Sequence, residues 1–191
     1  MKTLKEIKEL CKQANACKAQ INPLSQFIEE GKEVEAWQVV LGNYELLVSK
    51  NILIEEDKKE VCELAGNVGV IYHENGKICV KSIYKDGKLE GVREWFYDNG
   101  NIMEKSICKN DKLEGVSEEY YANGNIMEKS IYKNGKLEGV WECYYDNGNL
   151  RIKSIYKAGK LYGVSERYYN NGYIKEKSIY KDGREISTEN F

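Results

Sequence analysis

From residue 67 to residue 186, apolar and polar residues alternate along short segments that are separated by turns rich in glycine and asparagine. Alternation with a period of two predicts half-buried β-strands. The pattern recurs every 24 residues, and its five copies begin at Asn67, Gly91, Gly115, Gly139 and Gly163. A fixed period of this length is typical of repeat proteins, so most of the chain is predicted to be a repeated β-structure.

Each unit predicts two strands that form a hairpin. In the third unit the strands run from Val116 to Tyr121 and from Ile126 to Lys133, with Asn123-Gly124 between them. Asn-Gly occupies positions 9 and 10 of every unit, and it favours a two-residue turn because both residues tolerate positive φ. The turns that end the units are Asp86-Gly87, Asn110-Asp111, Asn134-Gly135, Ala158-Gly159 and Asp182-Gly183. Five such hairpins predict an elongated, twisted antiparallel meander of about ten strands.

A turn centred on Asn-Gly also predicts which residues face each other. Position 7 lies opposite position 12, position 4 opposite position 15, and position 2 opposite position 17. Tyr121 then faces Ile126, and Val116 faces Ile131. The same register places a glutamate opposite a lysine in four pairs, namely Glu94 with Lys105, Glu118 with Lys129, Glu142 with Lys153 and Glu166 with Lys177. Opposite charges that face each other across strands stabilise a sheet, which favours this register.

Before residue 67, apolar residues recur every three or four positions, which predicts helices. Thr3 and Glu6 form a capping-box pattern at the start of a helix that runs to about Lys18, and Trp37 belongs to the apolar face of a later helix, where it is predicted to be core. The later predicted elements are a link containing Pro23, a short helix from Ser25 to Glu30, an amphipathic helix from Val34 to Val48, a stop at Asn51, and a helix from Glu55 to Ala65.

These two patterns predict an α+β protein with a helical N-terminal module, residues 1–66, and five repeats. The repeats are 67–90, 91–114, 115–138, 139–162 and 163–186, and a short C-terminal tail follows them. The helical segment is small for a separate core, so we expect it to cap the sheet by packing on the first hairpin. The last strand, about Ile174 to Lys181, is expected to be an edge that its lysines protect from further pairing.

Charge excludes one large class of partner. The net charge is −2. Residues 1–66 contain 9 basic and 12 acidic residues, and the remainder contains 20 basic and 19 acidic. Neither part has the basic excess that nucleic-acid binding usually needs. No apolar run approaches the roughly 18 to 20 residues that span a bilayer, and the start lacks the apolar core of a secretion signal. We therefore expect a cytoplasmic protein with no membrane contact.

Residues that could carry chemistry are few. The six cysteines form no CxxC pair, and the three in the repeats occupy different positions of the unit, so free thiols are expected. His73, the single histidine, stands where other units carry tyrosine, which predicts an aromatic replacement rather than a catalytic base. No cysteine has an evident base beside it, and the glycines mark turns. We therefore expect no catalytic, cofactor-binding or metal-binding residues and no enzyme activity.

The pattern Tyr-Tyr-x-Asn-Gly-x-Ile, followed by Tyr-Lys-x-Gly-Lys-Leu-x-Gly, resembles the MORN repeat (membrane occupation and recognition nexus). It is most similar to the bacterial variant found in antitoxin-like proteins. The resemblance covers residues 67–186 and all five copies, while the helical leader, 1–66, lies outside it. It implies a single elongated, curved sheet and protein–protein contacts. It implies no catalytic residues, and such repeats serve as scaffolds in many contexts.

Positions that differ between units are free to suit a partner, whereas constant positions are predicted to build the scaffold. The variable positions are 3, 5, 8, 11, 13 and 14. With the neighbouring tyrosines they predict a partner-binding face that consists of Arg93, Trp95, Tyr97, Tyr121, Trp141, Tyr145, Arg151, Arg167 and Tyr169. Arginine and aromatic residues are enriched in interface hot spots.

Other interpretations of the same residues remain open. Trp95 and Trp141 can fill gaps between neighbouring units, and the tyrosine stripe can be packing. The lysine rows can be solvated cross-strand pairs or can follow a phosphate backbone. The interleaved glutamates argue against the last option because they cancel the positive field.

Together these features predict a non-catalytic protein-binding repeat protein. The resemblance implies a neutraliser or inhibitor of a bacterial effector, such as a toxin or a defence nuclease, in the manner of an antitoxin or a phage anti-CRISPR protein. The expected partner is another protein or a ribonucleoprotein, without sequence-specific binding to nucleic acid, and the expected state is a monomer or weak dimer. The alternative is a structural or assembly scaffold, possible also at a membrane, although no basic amphipathic helix supports membrane contact.

Overall fold

The computed structural model describes residues 1–14, 18–50, 52–53 and 57–191, with the backbone alone for 18–21. A small helical part is followed by a large open antiparallel sheet of twelve strands. The order of elements that the sequence predicts is confirmed, but the class is more β than α+β. The chain divides into two compact units, Met1–Gly100 and Asn101–Phe191.

The first helix begins as predicted, whereas the second begins at Lys18 rather than at Ser25. The Thr3 hydroxyl accepts a hydrogen bond from the Glu6 amide at 3.3 Å, and the Glu6 carboxylate accepts one from the Thr3 amide at 2.7 Å, which completes the capping box. The first helix ends at Gln13 rather than near Lys18. The helices are α1 (Leu4–Gln13), α2 (Lys18–Glu29), α3 (Glu33–Gly42), α4 (Tyr44–Ser49) and α5 (Lys58–Leu64). No helix among the described residues has the length and apolar character needed to cross a membrane.

The predictions for Pro23 and for the helix from Val34 to Val48 are also wrong. Pro23 lies inside α2 rather than in a link; a proline there removes one backbone hydrogen bond but does not end the helix. The predicted helix from Val34 to Val48 is two helices that meet at Asn43, whose side-chain amide donates to the Val39 carbonyl at 2.9 Å. A Cβ on Gly42 would lie 2.4 Å from the Val70 carbonyl oxygen, so this glycine permits the close approach of helix and strand. The predicted stop at Asn51 lies outside the described residues.

The first unit contains a conventional apolar core. Trp37 is 4% exposed and lies in this core beside residues of α1, α3, α4 and α5, as predicted. Tyr72 and Tyr84, from the first two strands, pack against it. Val34 departs from the predicted apolar face, because it is 50% exposed. The helices of this unit therefore pack on its first hairpin.

Within each compact unit the paired strands are antiparallel and follow the order of a meander. The first unit contains β1 (Val68–Tyr72), β2 (Ile78–Lys85) and β3 (Lys88–Phe96). The second contains β4 (Ile102–Lys109), β5 (Lys112–Tyr120), β6 (Ile126–Lys133), β7 (Lys136–Leu137), β8 (Gly139–Tyr144), β9 (Leu150–Lys157), β10 (Lys160–Tyr168), β11 (Ile174–Lys181) and β12 (Arg184–Asn190).

Two features raise the strand number from the predicted ten to twelve. One predicted strand is divided into β7 and β8 at Glu138. The predicted C-terminal tail forms β12, which pairs with β11, so Ile174 to Lys181 is not the last strand. The tail continues the pattern of the repeats, because Glu189 lies opposite Lys177 as glutamates do in the preceding units.

The Asn-Gly turns differ from the predicted geometry. In the third repeat, the Gly124 amide donates to the Tyr121 carbonyl, and the Tyr121 amide donates to the Asn125 carbonyl, both at 2.8 Å. Of Asn123 and Gly124, only the glycine has positive φ, +91°. The loop therefore has three residues and ends in a left-handed glycine, a common hairpin geometry.

This loop shifts the register next to the turn. Tyr120, rather than Tyr121, lies opposite Ile126, so the predicted pairing of Tyr121 with Ile126 is wrong. Met127 is then the extra residue of a β-bulge, which restores the predicted register farther along the hairpin. There Glu118 faces Lys129 and Val116 faces Ile131, as predicted.

The turns that end the repeats have the two-residue geometry that the sequence predicted for the Asn-Gly turns. Both central residues have positive φ, for example Asn134 at +51° and Gly135 at +76°. Asn110-Asp111 adopts it without glycine, at +49° and +63°, and Ala158 adopts it at +50°. These turns therefore match the two-residue type I′ hairpin.

Candidate functional site

Constant positions of the repeat bind neighbouring strands. Glu118 accepts a hydrogen bond from the Tyr120 hydroxyl at 2.8 Å and forms an ion pair with Lys129 at 3.0 Å. The Lys129 ammonium and the Tyr120 hydroxyl lower the pKa of Glu118 below its usual value. The same trio recurs as Glu142, Tyr144 and Lys153 and as Glu166, Tyr168 and Lys177. Because each of these lysines lies beside a glutamate, these rows are cross-strand ion pairs, as one of the sequence interpretations predicted.

The aromatic residue at position 7 also connects neighbouring repeats. The Tyr121 hydroxyl donates to the Tyr144 carbonyl at 2.7 Å, and the Tyr145 hydroxyl donates to the Tyr168 carbonyl at 2.8 Å. In the first repeat, Nε2 of His73 lies 2.8 Å from the Phe96 carbonyl oxygen. His73 therefore replaces tyrosine in both position and hydrogen bond, as the sequence predicted.

Polar side chains connect successive turns along both margins of the repeats. At the Asn-Gly margin, the side-chain amides of Asn125 and Asn149 donate to the carbonyls of Asp146 and Asn170, each at 2.7 Å. At the other margin, Glu138 accepts from the amide of Ala158 at 2.7 Å. Side chains at both margins are therefore used in hydrogen bonds between successive repeats.

In the compact unit Met1–Gly100, two of the predicted partner-binding residues pack on each other. The Arg93 guanidinium lies 4.7 Å from the centre of the Trp95 ring, and both side chains are half-buried. Nε of Arg93 is buried without a hydrogen-bond partner among the described residues. Tyr97, nearer the turn, is also half-buried. Arg93 and Trp95 therefore fit the gap-filling interpretation better than an open binding face.

In the compact unit Asn101–Phe191, Trp141 packs within the sheet. Its ring meets the ring of Tyr156 nearly edge-on, with 6.2 Å between the centres and 74° between the planes. Trp141 lies opposite Ser154 and is half-buried. This again favours the packing interpretation for tryptophan at position 3.

Three of the predicted residues do come together. Tyr145, Arg151 and Arg167 line a cleft of about 320 Å³ in the second unit, which is hereafter called the basic cleft. Its other lining residues are Ile152, Tyr168 and Lys175. Arg151 lies over the Tyr145 ring at 5.8 Å, and Lys175 lies over the Tyr169 ring at 5.6 Å. Tyr169, another predicted residue, thus borders the cleft. Tyr121 is tied to the next repeat through its hydroxyl.

Lys175 lines the basic cleft but is absent from the predicted partner-binding face, because the sequence suggested instead that it protects a strand edge. It stands one period after Arg151, at position 13, which is the extra residue of the β-bulge in both hairpins. The two successive basic residues at position 13 were a usable signal. The bulge itself was not predictable from alternation, because alternation assumes a regular strand.

Four of the described cysteines have thiols whose ionisation is disfavoured by burial. Burial raises the pKa values of Cys11, Cys62, Cys79 and Cys143. These four and Cys108 are not in disulfide bonds, and Cys17 lies outside the described residues. Among the described residues, no group of three or more His, Cys, Asp or Glu side chains is arranged to hold a metal ion.

A larger cleft, of about 500 Å³, lies among the helices. Phe27, Ile28, Trp37 and Leu64 contribute apolar walls. Nε1 of Trp37 is buried without a hydrogen-bond partner among the described residues. Of the residues that line this cleft, Leu4, Phe27, Ile28 and Trp37 also belong to or pack on the helical core. The basic cleft instead contains four residues at positions that vary between repeats, namely Arg151, Ile152, Arg167 and Lys175.

None of the curated proteins matches the chain. Similar solved structures include a crystal structure of TarM, with 15% identity, a TM-score of 0.34, and coverage of 76% of this chain and 26% of that chain. A crystal structure of an S. aureus TarM mutant in complex with Fondaparinux, alpha-GlcNAc-glycerol and UDP has 12% identity, a TM-score of 0.35, and coverage of 97% of this chain and 38% of that chain. This chain spans less than half the length of either, and TM-scores below 0.5 carry no argument about fold or function. A family model described as "Uncharacterised protein" matches residues 52–190, and the chain belongs to that family.

Proposed function

We propose that the chain is a non-catalytic, MORN-like repeat protein that binds another protein through variable side chains of its sheet. Binding would neutralise a bacterial effector, such as a toxin or a defence nuclease, in the cytoplasm. The observation that supports this proposal is the basic cleft, where variable positions of the last two repeats place Arg151, Arg167 and Lys175 beside Tyr145.

The division of labour within the repeat supports binding rather than catalysis. The constant glutamate and lysine side chains form ion pairs between neighbouring strands, and the constant tyrosine at position 6 donates to the glutamate of its own strand. The cleft instead contains arginine and tyrosine, which dominate many protein interfaces. Cationic side chains over aromatic rings offer contact area together with charge.

The direction of the effect, inhibition, comes from the resemblance of the repeat to those of antitoxin-like proteins. A neutraliser must hold its target without changing it chemically, which fits a site built from cations and aromatic rings. An assembly scaffold would use the same kind of surface, and only activity measurements separate the two.

The experiment begins with affinity capture of the partner from the native host, followed by purification of the captured protein. Mixing the two purified proteins should abolish the partner's activity. Arg151→Glu with Arg167→Glu should weaken capture, because charge reversal acts on the basic cleft. Trp95→Ala and Trp141→Ala should have smaller effects, because both rings pack within the sheet.

Lys133→Glu with Lys181→Glu is the matched control, since it makes the same change in net charge at exposed positions near the opposite margin. Equal binding by the cleft variant and the control would show that the basic cleft is not the binding surface. A partner that is bound with its activity unchanged would instead identify an assembly scaffold.

A further inference from the structure

We infer that the basic cleft binds a short acidic segment of the partner protein. Carboxylates of the segment meet Arg151, Arg167 and Lys175, and an apolar side chain of the segment lies against Ile152 and Tyr145. This inference rests on the proposed protein-binding function and names the chemistry of what is bound.

The cleft carries excess positive charge. Arg167 forms an ion pair with Glu176, with 3.6 Å between Nε and Oε1, and it also interacts electrostatically with Glu185, but its side chain remains 56% exposed. Among the described residues, neither Arg151 nor Lys175 is in an ion pair; each lies over a tyrosine ring instead. Three cations therefore face two carboxylates, Glu176 and Glu185, and an arginine fork matches the geometry of an incoming carboxylate.

The cations are also partly positioned before binding. Arg151 and Lys175 contact the rings of Tyr145 and Tyr169, and the Tyr145 hydroxyl is fixed by its bond to the Tyr168 carbonyl. Side chains that are already oriented lose less conformational entropy when a ligand binds. The platform of tyrosines thus favours recognition of specific carboxylates over a diffuse attraction.

The charge pattern beside the cleft favours a short protein segment over nucleic acid. Successive cross-strand pairs connect Arg167 to Ile152, Ile152 to Cys143, Cys143 to Glu128, and Glu128 to Glu119. Glu119 also faces Glu104. Three glutamates that face one another on neighbouring strands therefore form a negative row, and burial together with Glu128 and Glu104 raises the pKa of Glu119.

This row of glutamates limits which kinds of ligand can bind across the sheet. At about 4.8 Å per strand, Glu119 on β5 lies on the order of 20 Å across the sheet from Arg167 on β10. A phosphate backbone that followed the sheet beyond the cleft would meet this row and be repelled. A peptide with carboxylates only over the cleft avoids that cost.

The test uses the full chain and a fluorescently labelled short peptide of alternating glutamate and leucine, with a glutamine–leucine peptide of equal length as its control. Fluorescence anisotropy should show saturable binding of the acidic peptide that weakens as salt rises. Arg151→Gln with Arg167→Gln should weaken it about tenfold or more. Lys133→Gln with Lys181→Gln, which removes the same charge elsewhere, should leave the affinity unchanged, and circular dichroism should show that both variants fold.

Three results would overturn the inference. They are equal binding of the glutamine peptide, equal loss in the two double variants, and tighter binding of a single-stranded oligonucleotide that depends on Arg151 and Arg167. The proposed function fails separately. If the chain neutralises its captured partner but does not bind the acidic peptide, the inference is wrong and the function stands. If the peptide binds as described but no captured protein is inhibited, the cleft chemistry stands and the neutralising role is wrong.

Discussion

At the scale of single residues, Ala158 is in an unfavourable backbone conformation. It has φ of +50°, in the first position of a two-residue turn where the other units carry Asp or Asn. Left-handed backbone costs a non-glycine residue about 1–2 kcal/mol, and asparagine tolerates it better. Ala158→Asn should therefore raise the free energy of unfolding by about 1 kcal/mol in urea titration. Ala122→Asn makes the same chemical change where φ is not positive, and a comparable gain there would contradict this explanation.

Two adjacent glutamates are predicted to affect the stability of the protein in opposite directions. The pKa of Glu119 is raised by burial and by Glu128 and Glu104, whereas the pKa of Glu118 is lowered by Lys129 and Tyr120. At neutral pH, Glu119→Gln should stabilise the protein by about 0.5 kcal/mol, because like charges facing across strands are unfavourable. Glu118→Gln should destabilise it by about 1 kcal/mol, because it removes a charged hydrogen bond.

The pH dependence checks the sign of both effects. The cost of ionised Glu119 disappears as pH falls through its raised pKa, so the advantage of Glu119→Gln should vanish in acid. The contribution of Glu118 is present above its unfolded pKa and is lost as pH falls through its lowered folded pKa. Urea titrations at neutral and acidic pH measure both. A Glu119→Gln advantage that persists in acid would show that charge is not its cause.

At the scale of the element, the hairpin was partly predictable. The position of both turns, the two strands and the Glu118–Lys129 pairing followed from alternation and charge. The register beside Gly124 did not, because a two-residue and a three-residue loop both accept Asn-Gly. The difference depends on whether Asn123 also adopts positive φ, and that choice follows from hydrogen bonds to Tyr121 that no local pattern specifies.

The repeated tyrosine–glutamate contact makes the hairpins sensitive to alkali. Burial and the neighbouring Glu142 and Glu166 raise the pKa values of Tyr144 and Tyr168 to about 12. A raised folded pKa contributes stability that is present below the ordinary value, about 10, and is lost as pH rises through about 12. Ultraviolet titration should therefore show two late tyrosine ionisations that coincide with loss of the sheet.

A matched variant identifies the source of this effect. Glu142→Gln removes the carboxylate beside Tyr144 and should lower the pKa of that tyrosine while leaving Tyr168 unchanged. Tyr144→Phe should remove one of the two late ionisations. If both variants retain two late ionisations, the tyrosine–glutamate contact does not control the alkaline transition.

At the scale of the whole molecule, the sequence identified the helices, the repeats and three residues of the basic cleft, Tyr145, Arg151 and Arg167. The repeat pattern does not distinguish one repeat from another, so the predicted partner-binding face also includes Arg93 and Trp95, which pack on each other. The choice between packing and exposure depends on which side chains a neighbouring strand covers. A repeat pattern describes the average unit, whereas a binding site arises where particular units depart from it.

The two compact units differ in how apolar surface is buried, and this gives a prediction about stability. The first unit has the helical core, where Leu41 is 1% exposed. In residues 101–191, all of which are described, Cys108 is the buried apolar side chain, and Ile155 is 40% exposed. Leu41→Ala should cost about 2–5 kcal/mol because it leaves a cavity, whereas Ile155→Ala should cost about 1 kcal/mol or less.

Urea titration of the two variants, followed by circular dichroism, measures the difference. Equal losses would show that the exposed isoleucine contributes as much as a core residue and that the sheet has a hidden apolar contact. A small loss for Ile155→Ala would mean that many hydrogen bonds and ion pairs, rather than a few large side chains, stabilise the repeats. A sheet stabilised in this distributed way tolerates changes at its variable positions, because no single one of them fills a core. That tolerance is what allows the last two repeats to carry the charged side chains of the basic cleft.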